Sequence, residues 1–210
     1  MELAHELEWL KVFEPKYEEA GVQLQMATFD QLISRLDPDN QLRGRQFECI
    51  CAWFLKNAQR YRGKIKEVWL FAEWPGRWGP DCGVDVIAET VDGEIWAVQA
   101  KCYDPSGSVS KRDIDSFLSE SSRPGVSHRI LVMTTDKMSP NARRTIRAQA
   151  IGTSVISFQH LRAEPLDWPE EPNKLLPSKS IIPISYIAGF FAGIPVTFLG
   201  LAGIIVEVLI

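Results

Sequence analysis

The sequence predicts an α/β fold, a mixed β-sheet with helices on both faces, in the order α-β-β-β-α-β-α-β. Apolar residues recur at 3.6-residue spacing over residues 44–61. Strand-like runs at 65–73, 83–88 and 94–103 follow with no helical stretch between them. Helix and strand patterns then alternate over 110–122, 129–134, 139–149 and 154–158.

Taken in order, residues 1–27 are rich in Glu and read as a helical N-terminal extension, acidic rather than basic and so unlike a secretory signal. Met26 is an alternative start. Residues 28–36 form a short amphipathic helix, with Thr28 or Asp30 near its cap. The cluster Asp37-Pro38-Asp39-Asn40 breaks it. In the next helix Phe47, Ile50, Cys51, Phe54 and Leu55 share a face. The stretch Trp74-Pro75-Gly76-Arg77-Trp78-Gly79-Pro80-Asp81 is too interrupted for regular structure and reads as an aromatic loop. Ile130, Leu131, Val132 and Met133 mark a buried strand. Ser139 is a good N-cap with Pro140 in the first turn after it.

The domain is placed at 28–163. Residues 164–180 hold four prolines and read as a linker. Residues 181–210 are almost wholly apolar, with Glu207 the only charge, and are long enough to cross a bilayer. Lys174 and Lys179 just before them would leave the domain on the cytoplasmic side, anchored to the inner face of the membrane. A buried hairpin, or a tail with no selected role, are the alternatives.

The 210 residues suit one domain with extensions. A net charge of −4 offers nucleic acid no overall attraction, so any such contact must come from local basic patches. Cys49, Cys51, Cys82 and Cys102 form no CxxC pair and read as reduced thiols of a cytosolic protein. His5, His128 and His160 are scattered, and no nucleotide-binding glycine motif occurs.

The chemistry concentrates in one predicted hairpin. Asp85 leads the first strand; Gln99 and Lys101 lie two apart on the second and so share a face. A two-residue Asp92-Gly93 turn would set Asp85 opposite Ala100, on the wrong face. A three-residue loop, Val91-Asp92-Gly93, with Gly93 left-handed, pairs Thr90 with Glu94 and sets Asp85 opposite Gln99. The odd-numbered loop, or an equivalent bulge near Asp85, is therefore expected. Asp85, the Gln99 side-chain oxygen and the Ala100 backbone carbonyl then make an oxygen site suited to Mg²⁺, with Mn²⁺ able to substitute. Lys101 would orient a nucleophilic water and balance charge on phosphorus. Glu48, on the preceding helix, is the further carboxylate, acting through a water, with Glu73 and Asp81 as auxiliary acids. Arg77, Lys111, Arg143 and Arg144 are candidate DNA contacts, the last two at a helix N-terminus. Solvated surface groups are the alternative for each of these residues taken singly, and Trp74 and Trp78 serve equally well to pack the loop on the sheet.

In order, Gly44-Arg45-Gln46-Phe47-Glu48, Gly83-Val84-Asp85 and Val98-Gln99-Ala100-Lys101-Cys102-Tyr103 resemble the Mrr-like branch of the PD-(D/E)xK restriction-endonuclease superfamily. Residues 130–136, Ser139-Pro140-Asn141-Ala142 and Ile156-Ser157-Phe158 match its later strand, helix and strand. The 72–81 stretch is similar to the N-terminal nuclease domain of type ISP restriction-modification enzymes. The resemblance implies a restriction-endonuclease-like fold, with Glu48, Asp85, Gln99 and Lys101 as the catalytic set and double-stranded DNA as substrate. The expected function is a Mg²⁺-dependent DNA endonuclease of a restriction or defence system. Type ISP enzymes continue into a helicase motor and a methyltransferase, so such a partner, or a second copy of this chain for two-strand cleavage, is expected. The rival readings are an idle nuclease-fold DNA-binding module, a fragment of a larger helicase-nuclease, and a membrane-anchored interaction protein.

Overall fold

The computed structural model describes residues 26–79 and 83–177. Strand β1 (Met26–Ala27) leads into helix α1 (Phe29–Ser34), where Thr28 and Gln31 close a reciprocal capping box. Helix α2 (Asn40–Asn57) starts four residues before the periodicity does, because the Asp39 carboxylate accepts the Gln41 and Leu42 amides. The cluster that breaks α1 therefore also caps α2. Strands β2 (Ile65–Leu70), β3 (Val86–Thr90) and β4 (Ile95–Lys101) form an antiparallel meander. Helix α3 (Arg112–Glu120) crosses over to β5 (Val126–Met133), and α4 (Pro140–Arg147) crosses to β6 (Thr153–Ile156), both strands running parallel to β4. Helix α5 (Phe158–Ala163) and β7 (Trp168–Pro169) follow. The sheet order is β2-β3-β4-β5-β6, the mixed α/β sandwich expected.

Strand alternation divides the core in two. Val86, Ala88, Val98, Ile130, Val132 and Ile156 face α2 together with α1 and α5. Ile87, Ala97, Leu131 and Met133 face α3 and α4 through Ile114, Phe117 and Ala142.

Two expectations about the ends of the domain are corrected. Residues 164–176, expected as linker, pack onto the domain: Trp168 and Leu175 are buried, and β7 pairs antiparallel with β1. Trp168 meets Phe29, Trp53 and Phe54 at ring distances of 4.8–5.8 Å. The prolines fit because a two-residue strand and a 3₁₀ turn at Pro172–Leu175 need few backbone donors. By the same pairing, residues 26–27, assigned to the extension, belong to the domain. The helical extension over 1–25, Asp81, Cys82 and the apolar 181–210 segment lie outside the described residues. Among the described residues no helix is long and apolar enough to cross a membrane.

Candidate active site

The hairpin takes the three-residue loop. Thr90 N–H donates to the Glu94 carbonyl at 2.9 Å, Gly93 is left-handed at φ 78°, and β3 pairs with β4 as Val86↔Val98 through Glu89↔Ile95. The pairing changes just before Val86. Asp85 N–H donates at 2.9 Å to Val98, the residue already opposite Val86, so the backbone slips by one in the manner of a bulge. Asp85 Oδ2 therefore reaches the Ala100 amide, accepting from it at 2.7 Å, and locks the carboxylate against the end of β4.

Gln99 is buried, and its Nε2 donates to the Gly83 carbonyl at 2.9 Å. That bond fixes which end of the amide is which. The Oε1 atom is left buried, with no hydrogen-bond partner among the described residues. An orphan acceptor beside a carboxylate is costly unless something electropositive uses it.

Lys101, half-buried, makes neither an ion pair nor a hydrogen bond among the described residues. It does feel Asp113, in the first turn of α3. Burial opposes the charge of Asp113, but hydrogen bonds from Ser110 and Tyr103 and the nearby Lys101 ammonium together hold its carboxyl below the usual range. Burial and the Asp113 carboxylate push the Tyr103 phenol up to about 12, so it stays a donor. Glu48 arrives from α2 with Oε2 2.8 Å from Arg45 Nη1. Arg45 also lies 4.0 Å from Glu73, which ties that acid to α2. Cys51 sits behind Asp85 with its thiol pushed well up, first by burial and then by the Asp85 charge.

Glu48, Asp85, Gln99, Ala100 and Lys101 line one open cavity of about 780 Å³. Its other wall is made by Trp78, Gly79, Ser116, Glu120 and Arg123. None of Arg77, Lys111, Arg143 or Arg144 lines it. Arg77 turns back to the Ala72 carbonyl at 3.3 Å, Lys111 pairs with Asp115 at 2.7 Å, and Arg143 Nε donates to the Met138 carbonyl at 3.2 Å. Arg144 is exposed on α4. Trp78 packs edge-on to Phe71 and Trp74, the loop-packing alternative. The wall residues Ser116 and Glu120 escaped the sequence reading because they look like an ordinary solvated helix face.

The donors suit a hard divalent cation. Among the described residues no three of His, Cys, Asp and Glu gather as a metal cluster. Asp85, Gln99 Oε1 and the Ala100 carbonyl offer a carboxylate and neutral oxygens, and the orphaned oxygen is the observation that favours this set. The cavity carries three carboxylates, Glu48, Asp85 and Glu120, against two cations, Lys101 and Arg123.

The α/β sandwich thus brings an acid, an amide oxygen and a lysine to one cavity at the end of the hairpin. Residues 56–174, more than half of the chain, match the Mrr-type catalytic family described as restriction endonuclease, and the chain belongs to that family. It is therefore a restriction-endonuclease-family domain, with the restriction-endonuclease-like fold expected of it. It is similar to the ATP-dependent type ISP restriction-modification enzyme LlaBIII bound to DNA, at 34% identity over 68% of this chain with a TM-score of 0.57. The aligned part is 9% of the LlaBIII chain, so this chain spans a small fraction of that enzyme. It also matches the MspJI restriction endonuclease in complex with a 27-mer oligonucleotide, at 20% identity over 68% of this chain and 34% of that one, with a TM-score of 0.42. No curated protein matches the chain.

Proposed function

We propose that this chain hydrolyses phosphodiester bonds of double-stranded DNA in a Mg²⁺-dependent reaction at the Asp85–Gln99–Lys101 site. The buried, unpartnered Gln99 Oε1 beside the Asp85 carboxylate carries the reading. Asp85, Gln99 Oε1 and the Ala100 carbonyl would hold the ion. Once bound, it would neutralise the phosphate and lower the pKa of water.

The chain's own groups do the rest. The Ala100 amide keeps the Asp85 carboxylate fixed, so little reorganisation is needed when substrate binds. Lys101, free of any ion pair among the described residues, points its charge at the developing negative charge on phosphorus and orients the attacking water. Glu48 accepts a proton through a water, while Arg45 holds its carboxylate at 2.8 Å. One such site cuts one strand, so a double-strand break takes a second copy or a second encounter. Arg144 on α4 remains a candidate phosphate contact away from the cavity. Assembly with a helicase-methyltransferase and a cytoplasmic location belong to this proposal.

The test is incubation of the purified full chain with supercoiled plasmid, with Mg²⁺, Mn²⁺ or EDTA. Cleavage is expected with either metal and not with chelator. Asp85→Ala and Lys101→Ala should each lower the rate by about 10²–10³-fold or more while both variants still melt as folded proteins, Lys101→Ala at the parent temperature. Parent protein that binds duplex but never nicks it would put the idle DNA-binding module in first place.

A further inference from the structure

We propose that Arg123, laid on Trp78, is a second phosphate seat for the DNA strand on the cavity wall facing the Asp85–Lys101 set, and that Glu120 occupies this seat until DNA arrives. The inference rests on the DNA reading above and adds to it a substrate-binding residue and its competitor.

The Arg123 guanidinium carbon lies 5.4 Å from the Trp78 ring centroid, a cation–π distance that aligns a flat fork. Its Nη2 and Nε reach Glu120 Oε2 at 2.9 and 3.3 Å. All three side chains line the cavity that contains Asp85, Gln99 and Lys101. At about 30 Å³ per water its 780 Å³ would hold roughly two dozen waters, room for a stretch of backbone as well as a hydrated ion.

Both ends of the seat are anchored. Trp78 is wedged at 5.2 Å from Phe71 and 5.4 Å from Trp74, nearly perpendicular to the latter. The turn that follows α3, from which Arg123 projects, is held by the buried Arg129. That side chain donates to the Leu118 carbonyl at 3.0 Å and to the Ser121 and Ser122 hydroxyls at 2.6 and 2.7 Å.

The Glu120–Arg123 pair itself is weak. Its side chains are 32% and 46% exposed and only three residues apart, so solvent screens the attraction. A phosphate offers two oxygens to the guanidinium fork and carries its charge into a cavity made electropositive by cation and lysine. Phosphate therefore displaces the carboxylate, and Glu120 swings to solvent.

The experiment measures duplex binding by the full chain with Ca²⁺ as the hard cation, across 50–200 mM salt, beside plasmid cleavage with Mg²⁺. Arg123→Ala should weaken binding about tenfold at the lowest salt and make the log K against log salt slope shallower by about 0.9, one phosphate's worth. Arg123→Lys should keep most of the slope and lose part of the affinity. Glu120→Gln should tighten binding several-fold in the parent and leave Arg123→Ala unchanged, because its effect runs through Arg123. An unchanged slope and affinity in Arg123→Ala overturn the seat, and equal tightening by Glu120→Gln in both backgrounds overturns the competition. Arg123-dependent binding without cleavage removes the nuclease reading and leaves the seat standing. Cleavage with Arg123 indifferent removes the seat alone, and no duplex binding at all removes both. Melting of each variant, its change lying on the surface, should match the parent.

Discussion

Gly83 shows how one residue type can be forced by a site. Its φ is +77°, and a Cβ there would stand 2.7 Å from Ser116 Oγ and 3.4 Å from the Phe117 amide. Its carbonyl holds Gln99 Nε2, and this bond is what leaves Gln99 Oε1 without a partner. Gly83→Ala should cost about 1–3 kcal/mol in urea denaturation through backbone strain and the shifted Ser116. Plasmid cleavage should fall by far more than that loss of folded protein explains, since the Gln99 amide loses its anchor. At this scale the site's donors were legible. Asp85, Gln99 and Lys101 are polar residues in otherwise apolar strand runs, and alternation puts the last two on one face. A bulge near Asp85 was expected only in place of the odd-numbered loop. That both occur, so that Asp85 pairs with Val98 and not Gln99, could not be read, because a bulge depends on where Phe71 and Val98 take up hydrogen bonds, not on residue type.

Among the elements, α3 carries more than its sequence shows. Arg129 is 1% exposed, and its hydrogen bonds go to Ser121, Ser122, Leu118 and Ile151, none of them a carboxylate. Burial accordingly pulls its pKa down, yet the charge sits where the carbonyls at the C-terminal end of α3 favour it. Arg129→Met should destabilise by about 2–4 kcal/mol, because carbonyls and hydroxyls are left unsatisfied. Hydrogen exchange should accelerate first in the last turn of α3. In sequence nothing distinguishes Arg129 from the other basic residues of the second half of the chain. A long side chain at a strand start reads as solvated until the neighbouring helix is in place. The hairpin was the opposite case. The odd-numbered loop was required by chemistry before any register was known, and Gly93 at φ 78° supplies the left-handed residue it needs.

The whole domain is closed by its own ends. The β1–β7 pair lies over α1 and α2, with Trp168 packed among Phe29, Trp53 and Phe54. Trp168→Ala should cost about 3–5 kcal/mol, read as a lowered melting temperature, although it lies in a stretch whose prolines suggest a mere connector. Composition failed there because a proline count says nothing about one buried indole between them. The alternating helices and strands were legible because each buries a continuous apolar face, and the order of elements followed. The charge imbalance in the cavity has a consequence for how ligands would combine there. With acids outnumbering bases, an incoming polyanion is repelled and an incoming cation is drawn in, so each makes the other welcome. Thermodynamic reciprocity then requires that duplex raise the affinity for divalent ion by the same factor that the ion raises affinity for duplex. Such a domain would behave as a coincidence detector, poorly occupied by either ligand alone.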